Sequence, residues 1–196
     1  MRATQSHQVW FEVRRKALHL CGILIPVLYL LFPKDWIILG FLIGFCIIVL
    51  IEWLRFRGRI TLPALREREH QCIPAYVFFV TGAFLSILIF EKTIAITAIL
   101  MLALGDTASA LTGVLIDAEP RWHERRRKRL EVMLVMFVTC FIIGWLMLCS
   151  IPLAALGALG ATVADGLPLS IRGYHLDDNL TIPLFAGALM SVGVVC

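Results

Sequence analysis

The amino-acid sequence contains seven apolar segments of roughly membrane-span length, separated by polar connections. These segments cover residues 17–33, 35–54, 73–90, 93–116, 131–150, 151–165 and 180–196. A helix of about 20 apolar residues crosses the hydrocarbon core of a bilayer. Hydrophobic residues occupy 60% of the 196 positions, well above the roughly 45–50% of soluble domains. We therefore predict an all-α integral membrane protein in which residues 1–196 form a single polytopic domain of about seven transmembrane helices.

The basic residues are distributed unevenly between the connections. Sixteen of the 18 Lys and Arg residues lie at the N-terminus or in segments 55–72, 117–130 and 166–179, and the other two are Lys34 and Lys92. Lys and Arg concentrate in the cytoplasmic loops of membrane proteins. This pattern predicts a cytoplasmic N-terminus and cytoplasmic long connections. In a prokaryote it predicts a multi-pass protein of the cytoplasmic membrane, with its site facing the cytoplasm.

Acidic residues occur near the predicted cytoplasmic ends of four spans. They are Asp106 inside the fourth span, Glu131 at the start of the fifth, Asp165 at the end of the sixth and Asp178 just before the seventh. A rise of about 1.5 Å per residue places Asp106 and Asp165 at similar depths. A carboxylate inside a bilayer costs about 2.5–3.5 kcal/mol on insertion scales and usually marks a functional site. We therefore predict that these acids lie on one side of the membrane and that Asp106 is functional.

Small residues surround Asp106 in the sequence. Gly105, Ser109 and Gly113 are spaced four apart, which is typical of close helix–helix packing in membranes. Packing does not account for the carboxylate among them, because a buried charge needs a partner or a metal.

Carboxylates that line a cytoplasmic cavity favour a hard divalent cation. Magnesium binds one or two carboxylates and completes its shell with water and phosphate oxygens. Lys128 and the neighbouring arginines could neutralise those phosphates, although basic loops often only set topology and contact anionic lipid. Phosphoryl transfer requires this positioning and charge neutralisation. The sequence has no GxxxxGK[ST] loop, which excludes a P-loop enzyme.

Two polar groups at helix ends have both a structural and a functional interpretation. Glu12, Lys16 and His19 share one stripe at the entry of the first span. They form either an ion pair beside an interfacial histidine or part of the site. The adjacent Asp177 and Asp178 are either a capping pair for the last helix or ligands.

Four stretches of the chain resemble the membrane lipid-alcohol kinases, which include dolichol kinase, phytol kinase and CTP-dependent diacylglycerol kinase. Residues 14–19 (RRKALH) are similar to the family's basic–histidine entry to its first helix. Residues 105–113 (GDTASALTG) are similar to its glycine–aspartate stretch of small residues. Residues 128–131 (KRLE) lie where the family has K-[ST]-[LI]-E-G, and residues 177–184 (DDNLTIPL) are similar to its DDNLT-[IL]-P ending.

The resemblance implies an enzyme that phosphorylates a polyprenol or dolichol, a phytol-like prenol or diacylglycerol, with CTP as donor and Mg²⁺ or another divalent cation as cofactor. The implied catalytic residues are Asp106, Asp178 and Lys128, and the implied metal ligands are Asp106, Glu131 and Asp178. The nucleotide- and phosphate-binding candidates are Gly105, Ser109, Lys128, Arg129 and Asn179. Secondary candidates are Lys16, His19, Asp165 and Asp177. Arg129 and Val132 stand where the family has a small hydroxyl residue and a glycine.

Two other functions fit the same residues. A phospholipid cytidylyltransferase would form a CDP-lipid and release pyrophosphate. A non-catalytic lipid or ion transporter would use the buried carboxylate as a proton or ion site, but the sequence has no inverted repeat to support it. We expect no nucleic-acid partner, because the basic loop is short.

Overall fold

The computed structural model describes residues 13–17, 19–60, 73–116, 129–166, 170–171 and 174–195. Over these residues the regular secondary structure is helical apart from two short strands. The N-terminal helical stretch comprises residues 13–17 and 19–20, a 3₁₀ turn at Cys21–Ile23 and helix α1 at Leu24–Leu31. The remaining elements are α2 Lys34–Phe56, α3 Ala75–Ile89, α4 Lys92–Leu100, a π turn at Met101–Gly105, α5 Asp106–Ile116, α6 Leu130–Leu148, α7 Ile151–Gly166, β1 Ser170–Ile171, β2 Tyr174–His175 and α8 Asp178–Val195.

Three helices in the described part of the chain are long and apolar enough to cross a membrane. They are α2, α6 and the continuous helix Lys92–Ile116, which comprises α4, the π turn and α5. The apolar helices Ala75–Ile89, Ile151–Gly166 and Asp178–Val194 are shorter. Their 15–17 residues extend only about 22–26 Å, which is less than the hydrocarbon core of about 30 Å.

The seven predicted spans therefore correspond to three helices of sufficient length and not to seven. The first predicted span, 17–33, differs most from its prediction. A 3₁₀ turn at Cys21–Ile23 interrupts it, and the α-helix that follows has eight residues.

The helix Lys92–Ile116 lies at the centre of the protein. Of its apolar window, 72% is buried inside the protein, against 6% for α2. Met101 of this helix belongs to the main apolar core together with Met136 of α6 and Ile182 of α8. In contrast, α2 exposes large apolar side chains such as Trp36 and Val49. The first residues of α5, which follow Met101–Gly105 directly, are therefore buried inside the helix bundle.

Small residues allow α7 and α8 to pack closely. A Cβ at Gly160 would lie 2.6 Å from the backbone oxygen of Phe185, and a Cβ at Gly157 would lie 2.8 Å from Met190 Sδ. Such close approach of helices is the usual basis of their association in membranes. Because Gly160 faces Phe185 and the earlier Gly157 faces the later Met190, the two helices are antiparallel. The C-terminal end of α7 therefore lies beside the N-terminal end of α8.

The two lysines outside the basic connections bind helix C-termini. Lys34 Nζ donates to the carbonyl oxygen of Leu88 at 3.2 Å, and Lys92 Nζ donates to that of Leu30 at 3.4 Å. Carbonyl groups in the last turn of a helix lack intrahelical partners and carry the negative end of the helix dipole, so an ammonium group stabilises them. These contacts hold the α1–α2 and α3–α4 connections together at one end of the bundle. Lys92 at this end lies about 21 Å along the central helix from Asp106.

Gly82 of α3 packs against the start of α8. A Cβ at Gly82 would lie 2.6 Å from the backbone oxygen of Asn179 and 3.2 Å from Leu180 Cα. We expect Gly82→Ala to lower the free energy of unfolding by about 1–3 kcal/mol, the usual effect of overpacking, measured by thermal unfolding in detergent. Gly40→Ala is the matched control, because nothing lies within 4 Å of a Cβ at that position. Equal stability of the two variants would contradict this packing.

Candidate metal centre

Asp106 begins α5 directly after the π turn Met101–Gly105. A π turn inserts an extra residue into a helix and is frequent at functional sites. The extra residue rotates the following positions around the helix axis, so Asp106 occupies a different face from the one it would have in an uninterrupted α-helix. Gly105 packs against α6, since a Cβ there would lie 2.6 Å from Cys140 Sγ and 2.9 Å from Met136 Sδ. The structure therefore accounts for Gly105 by helix packing.

Three aspartates from three helices meet at one point of the bundle. One carboxylate oxygen from each of Asp106, Asp165 and Asp178 lies within 4.8 Å of the other two. Asp106 and Asp165 are buried, and Asp178 is half-buried. The antiparallel packing of α7 and α8 brings the last turn of α7 and the first turn of α8 together, and α5 supplies the third acid. We call these residues the aspartate group.

A hydrogen bond from α5 orients Asp165. Ser109 Oγ donates to Asp165 Oδ2 at 2.9 Å, and both side chains are buried. The bond fixes the carboxylate of α7 against the helix that carries Asp106. In this structure Ser109 therefore positions an acid, whereas the resemblance implies contact with the nucleotide.

The N-terminal helical stretch contributes two side chains to Asp106. The Lys16 ammonium group forms an ion pair with Asp106 Oδ2, and His19 Nε2 lies 3.3 Å from the same oxygen. His19 Nε2 also lies 3.4 Å from the carbonyl oxygen of Leu102, and its ring packs edge-on against Phe79 with centroids 4.5 Å apart. The ionic partner of Lys16 is thus ninety residues away; Glu12, the partner that local spacing predicts, lies outside the described residues.

Asp177 caps α8. Its Oδ1 accepts hydrogen bonds from the backbone N–H of Asn179 at 3.0 Å and from Asn179 Nδ2 at 2.7 Å, which satisfies an N–H group of the first turn. The capping interpretation is therefore confirmed for Asp177. Burial, followed by the negative charges of Asp178 and Asp106, raises the pKa of Asp177 to about 7, and the bonds from Asn179 oppose this rise. The pKa of Asp177 is therefore raised mainly because its carboxyl is shielded from water, and the neighbouring negative charges add to that effect.

The residues at the start of α6 are exposed. Glu131 lies in the first turn and Arg129 directly precedes the helix. An acid in the first turn stabilises a helix through its dipole, which accounts for Glu131 without a metal. Lys128, the expected catalytic lysine, lies outside the described residues. Among the residues with described positions, the acids that meet are Asp106, Asp165 and Asp178, whereas the motifs imply Asp106, Glu131 and Asp178.

The aspartate group suits a hard divalent cation. Mg²⁺ binds oxygens at about 2.0–2.1 Å, so two of its ligands lie at most about 4.2 Å apart, whereas Ca²⁺ at about 2.3–2.6 Å allows about 5 Å. Because the three oxygens lie within 4.8 Å of one another, the group fits the larger ion directly and the smaller ion after a contraction of at most about 0.6 Å. Asn179 Oδ1, next to Asp178, is buried and accepts no hydrogen bond within the described ranges. A metal-bound water or a ligand hydroxyl can satisfy such an acceptor.

The chain is similar to a curated protein of comparable length. This relative is the uncharacterized protein RP860 of Rickettsia prowazekii (strain Madrid E), with 26% identity over 191 residues, covering 89% of this chain and 90% of that protein. No family model and no solved structure matches the chain. The similarity to the relative thus extends over most of both proteins.

Proposed function

We propose that this protein is a multi-pass membrane kinase that transfers the terminal phosphoryl group of CTP to a lipid alcohol. The observation that carries the proposal is the aspartate group, in which three helices bring carboxylate oxygens within 4.8 Å of one another. Buried carboxylates are unfavourable without a cation, and phosphoryl transfer uses divalent cations held by carboxylates. The resemblance of residues 105–113 and 177–184 to lipid-alcohol kinase motifs supports this reaction.

The proposed roles follow from burial and position. Asp106, Asp165 and Asp178 would hold Mg²⁺, which when bound neutralises charge on the donor phosphates. Asp178 is the least buried of the three. It accepts the proton of the lipid hydroxyl while that oxygen bonds to the terminal phosphorus and the bond between this phosphorus and the CDP oxygen breaks. Lys128 and Arg129, which directly precede the residues of α6 in the sequence, would neutralise phosphate oxygens.

The proposed topology has seven membrane helices and a cytoplasmic N-terminus, so that the aspartate group opens to the cytoplasm. Lys34 and Lys92 bind helix C-termini at one end of the bundle. Asp106 lies about 21 Å along the central helix from that end, and the positive-inside rule would assign the sixteen Lys and Arg residues of the long connections to the same side as Asp106. The short helices α3, α7 and α8 would cross a locally thinned bilayer or end within the protein.

Label transfer from CTP tests the proposal. Purified protein in detergent micelles with Mg²⁺ is incubated with a polyprenol, a phytol-like prenol or diacylglycerol and with CTP labelled at either the γ- or the α-phosphate. We expect the γ-label to enter the lipid and CDP to be released, with Asp178→Asn as the background. In a parallel reaction a lipid phosphomonoester such as phosphatidic acid replaces the alcohols, and entry of the α-label with pyrophosphate release there would indicate a cytidylyltransferase instead. Absence of both labels above the background, for all three lipids, would contradict the kinase proposal.

A further inference from the structure

Lys16 is a buried cation at the metal centre. Its side chain is 3% exposed and pairs with Asp106 Oδ2. His19 lies against the same oxygen at 3.3 Å. Lysine is rarely buried this completely, because its flexible stem normally carries the charge to water. The position of Lys16 in the helical residues 13–17 therefore depends on the carboxylate of the central helix.

The ion pair offsets part of the negative charge of the aspartate group. Three carboxylates within 4.8 Å repel one another, and a nearby positive charge favours their ionised form. Lys16 supplies one such charge directly on Asp106. It thereby does part of what a divalent cation would do.

Lys16 and a divalent cation are poorly compatible on the same carboxylate. A divalent cation binds a carboxylate oxygen at about 2.0–2.6 Å, and an ammonium group binds one at about 2.7–2.9 Å. If both bound the same oxygen, as Lys16 binds Asp106 Oδ2, the two cations would lie within about 5.5 Å of each other, where repulsion between a double and a single charge is strong in a site shielded from water.

We propose that Lys16 is the resident cation of the metal centre and that a divalent cation displaces it from Asp106 on binding. The inference rests on the metal site of the proposed function and adds a regulation of that site. Lys16 sets the metal affinity, and metal binding is coupled to the packing of residues 13–17 against the central helix.

Mn²⁺ titration of the full-length protein in detergent, followed by the electron paramagnetic resonance signal of free Mn²⁺, tests the displacement. Lys16→Met keeps the length of the side chain and removes its charge. We expect it to bind Mn²⁺ at least about tenfold more tightly than the wild type, because the competing charge is gone. Lys34→Met is the matched control. Lys34 contacts the Leu88 carbonyl at 3.2 Å at the other end of the bundle, so this variant should leave the Mn²⁺ affinity unchanged. Unchanged or weaker binding in folded Lys16→Met overturns the proposal.

Chemical labelling of the wild-type protein provides a second test that does not depend on the folding of a variant. A small amine-reactive reagent should label Lys16 slowly in metal-free protein and several-fold faster when Mn²⁺ saturates the site. Lys34 in the same digest is the internal reference and should be labelled at a constant rate. An unchanged or slower labelling of Lys16 at saturating Mn²⁺ overturns the displacement.

These measurements distinguish failure of this inference from failure of the metal site. If the wild type, Lys16→Met and Asp178→Asn all bind Mn²⁺ equally weakly, the aspartates hold no metal, and both the inference and the proposed metal site are overturned. If Asp178→Asn loses binding that the wild type shows, and Lys16→Met binds no more tightly than the wild type, the metal site stands and only the displacement is overturned.

Discussion

Asp165→Asn is expected to lower both the Mn²⁺ affinity and the CTP-dependent transfer rate at least about a hundredfold. Loss of a residue that only hydrogen-bonds to a metal ligand typically lowers metal affinity or activity about 10–100-fold, and Asp165 is proposed as a ligand itself. The substitution retains the shape of the side chain and an oxygen that can accept the bond from Ser109. It removes a charge from the aspartate group, whose oxygens lie within 4.8 Å of one another. Mn²⁺ titration and the label-transfer assay on the same preparation measure the two effects.

Glu131→Gln is the matched control for this prediction. It also removes one carboxylate charge, but Glu131 is exposed in the first turn of α6, and we expect Mn²⁺ affinity and transfer to stay within about threefold of the wild type, as is usual for an exposed site. The two variants distinguish the aspartate group, which contains Asp165, from the ligand set implied by the motifs, which contains Glu131. A large loss in Glu131→Gln together with a small loss in Asp165→Asn would show that the aspartate group is not the metal centre.

The helical architecture follows from segment composition, but the number of membrane-spanning helices does not. The predicted connections at Lys34 and Lys92 are confirmed, since α2 and α4 begin at these residues. Composition cannot separate a helix that faces lipid from one that is enclosed by protein. Both α2 and Lys92–Ile116 are apolar enough to cross a membrane, yet 6% of one window and 72% of the other are buried.

The candidate site shows a similar limit. Counting residues from the ends of the spans places Asp165 at a depth similar to that of Asp106, which is the sequence signal for this acid. The proximity of Asp165 to Asp106 depends on the antiparallel packing of α7 and α8 and on the hydrogen bond from Ser109. The spacing of residues in the sequence predicts neither of these. For Lys16, helical spacing indicates only local partners, whereas the observed partner is ninety residues away.

Asp106→Leu is expected to lower the free energy of unfolding by about 3 kcal/mol, because removal of one member of a buried ion pair leaves the other charge uncompensated and typically costs about 3–5 kcal/mol. The Lys16 side chain is 3% exposed and would lose its carboxylate partner. The lower end of the range applies, because the flexible lysine stem can carry the charge towards water. Thermal unfolding in detergent measures the change.

The double variant Lys16→Met/Asp106→Leu is expected to recover most of that loss. Replacing a buried ion pair by apolar side chains of similar volume is often neutral or stabilising, and the cycle of two single variants and the double variant isolates the pairwise energy. Because the double variant lacks a metal ligand, its recovered stability cannot come from bound metal. If the double variant is as unstable as Asp106→Leu alone, the loss arises from other contacts of Asp106, such as that with His19 at 3.3 Å. In that case Lys16 does not serve as the partner that compensates the buried carboxylate.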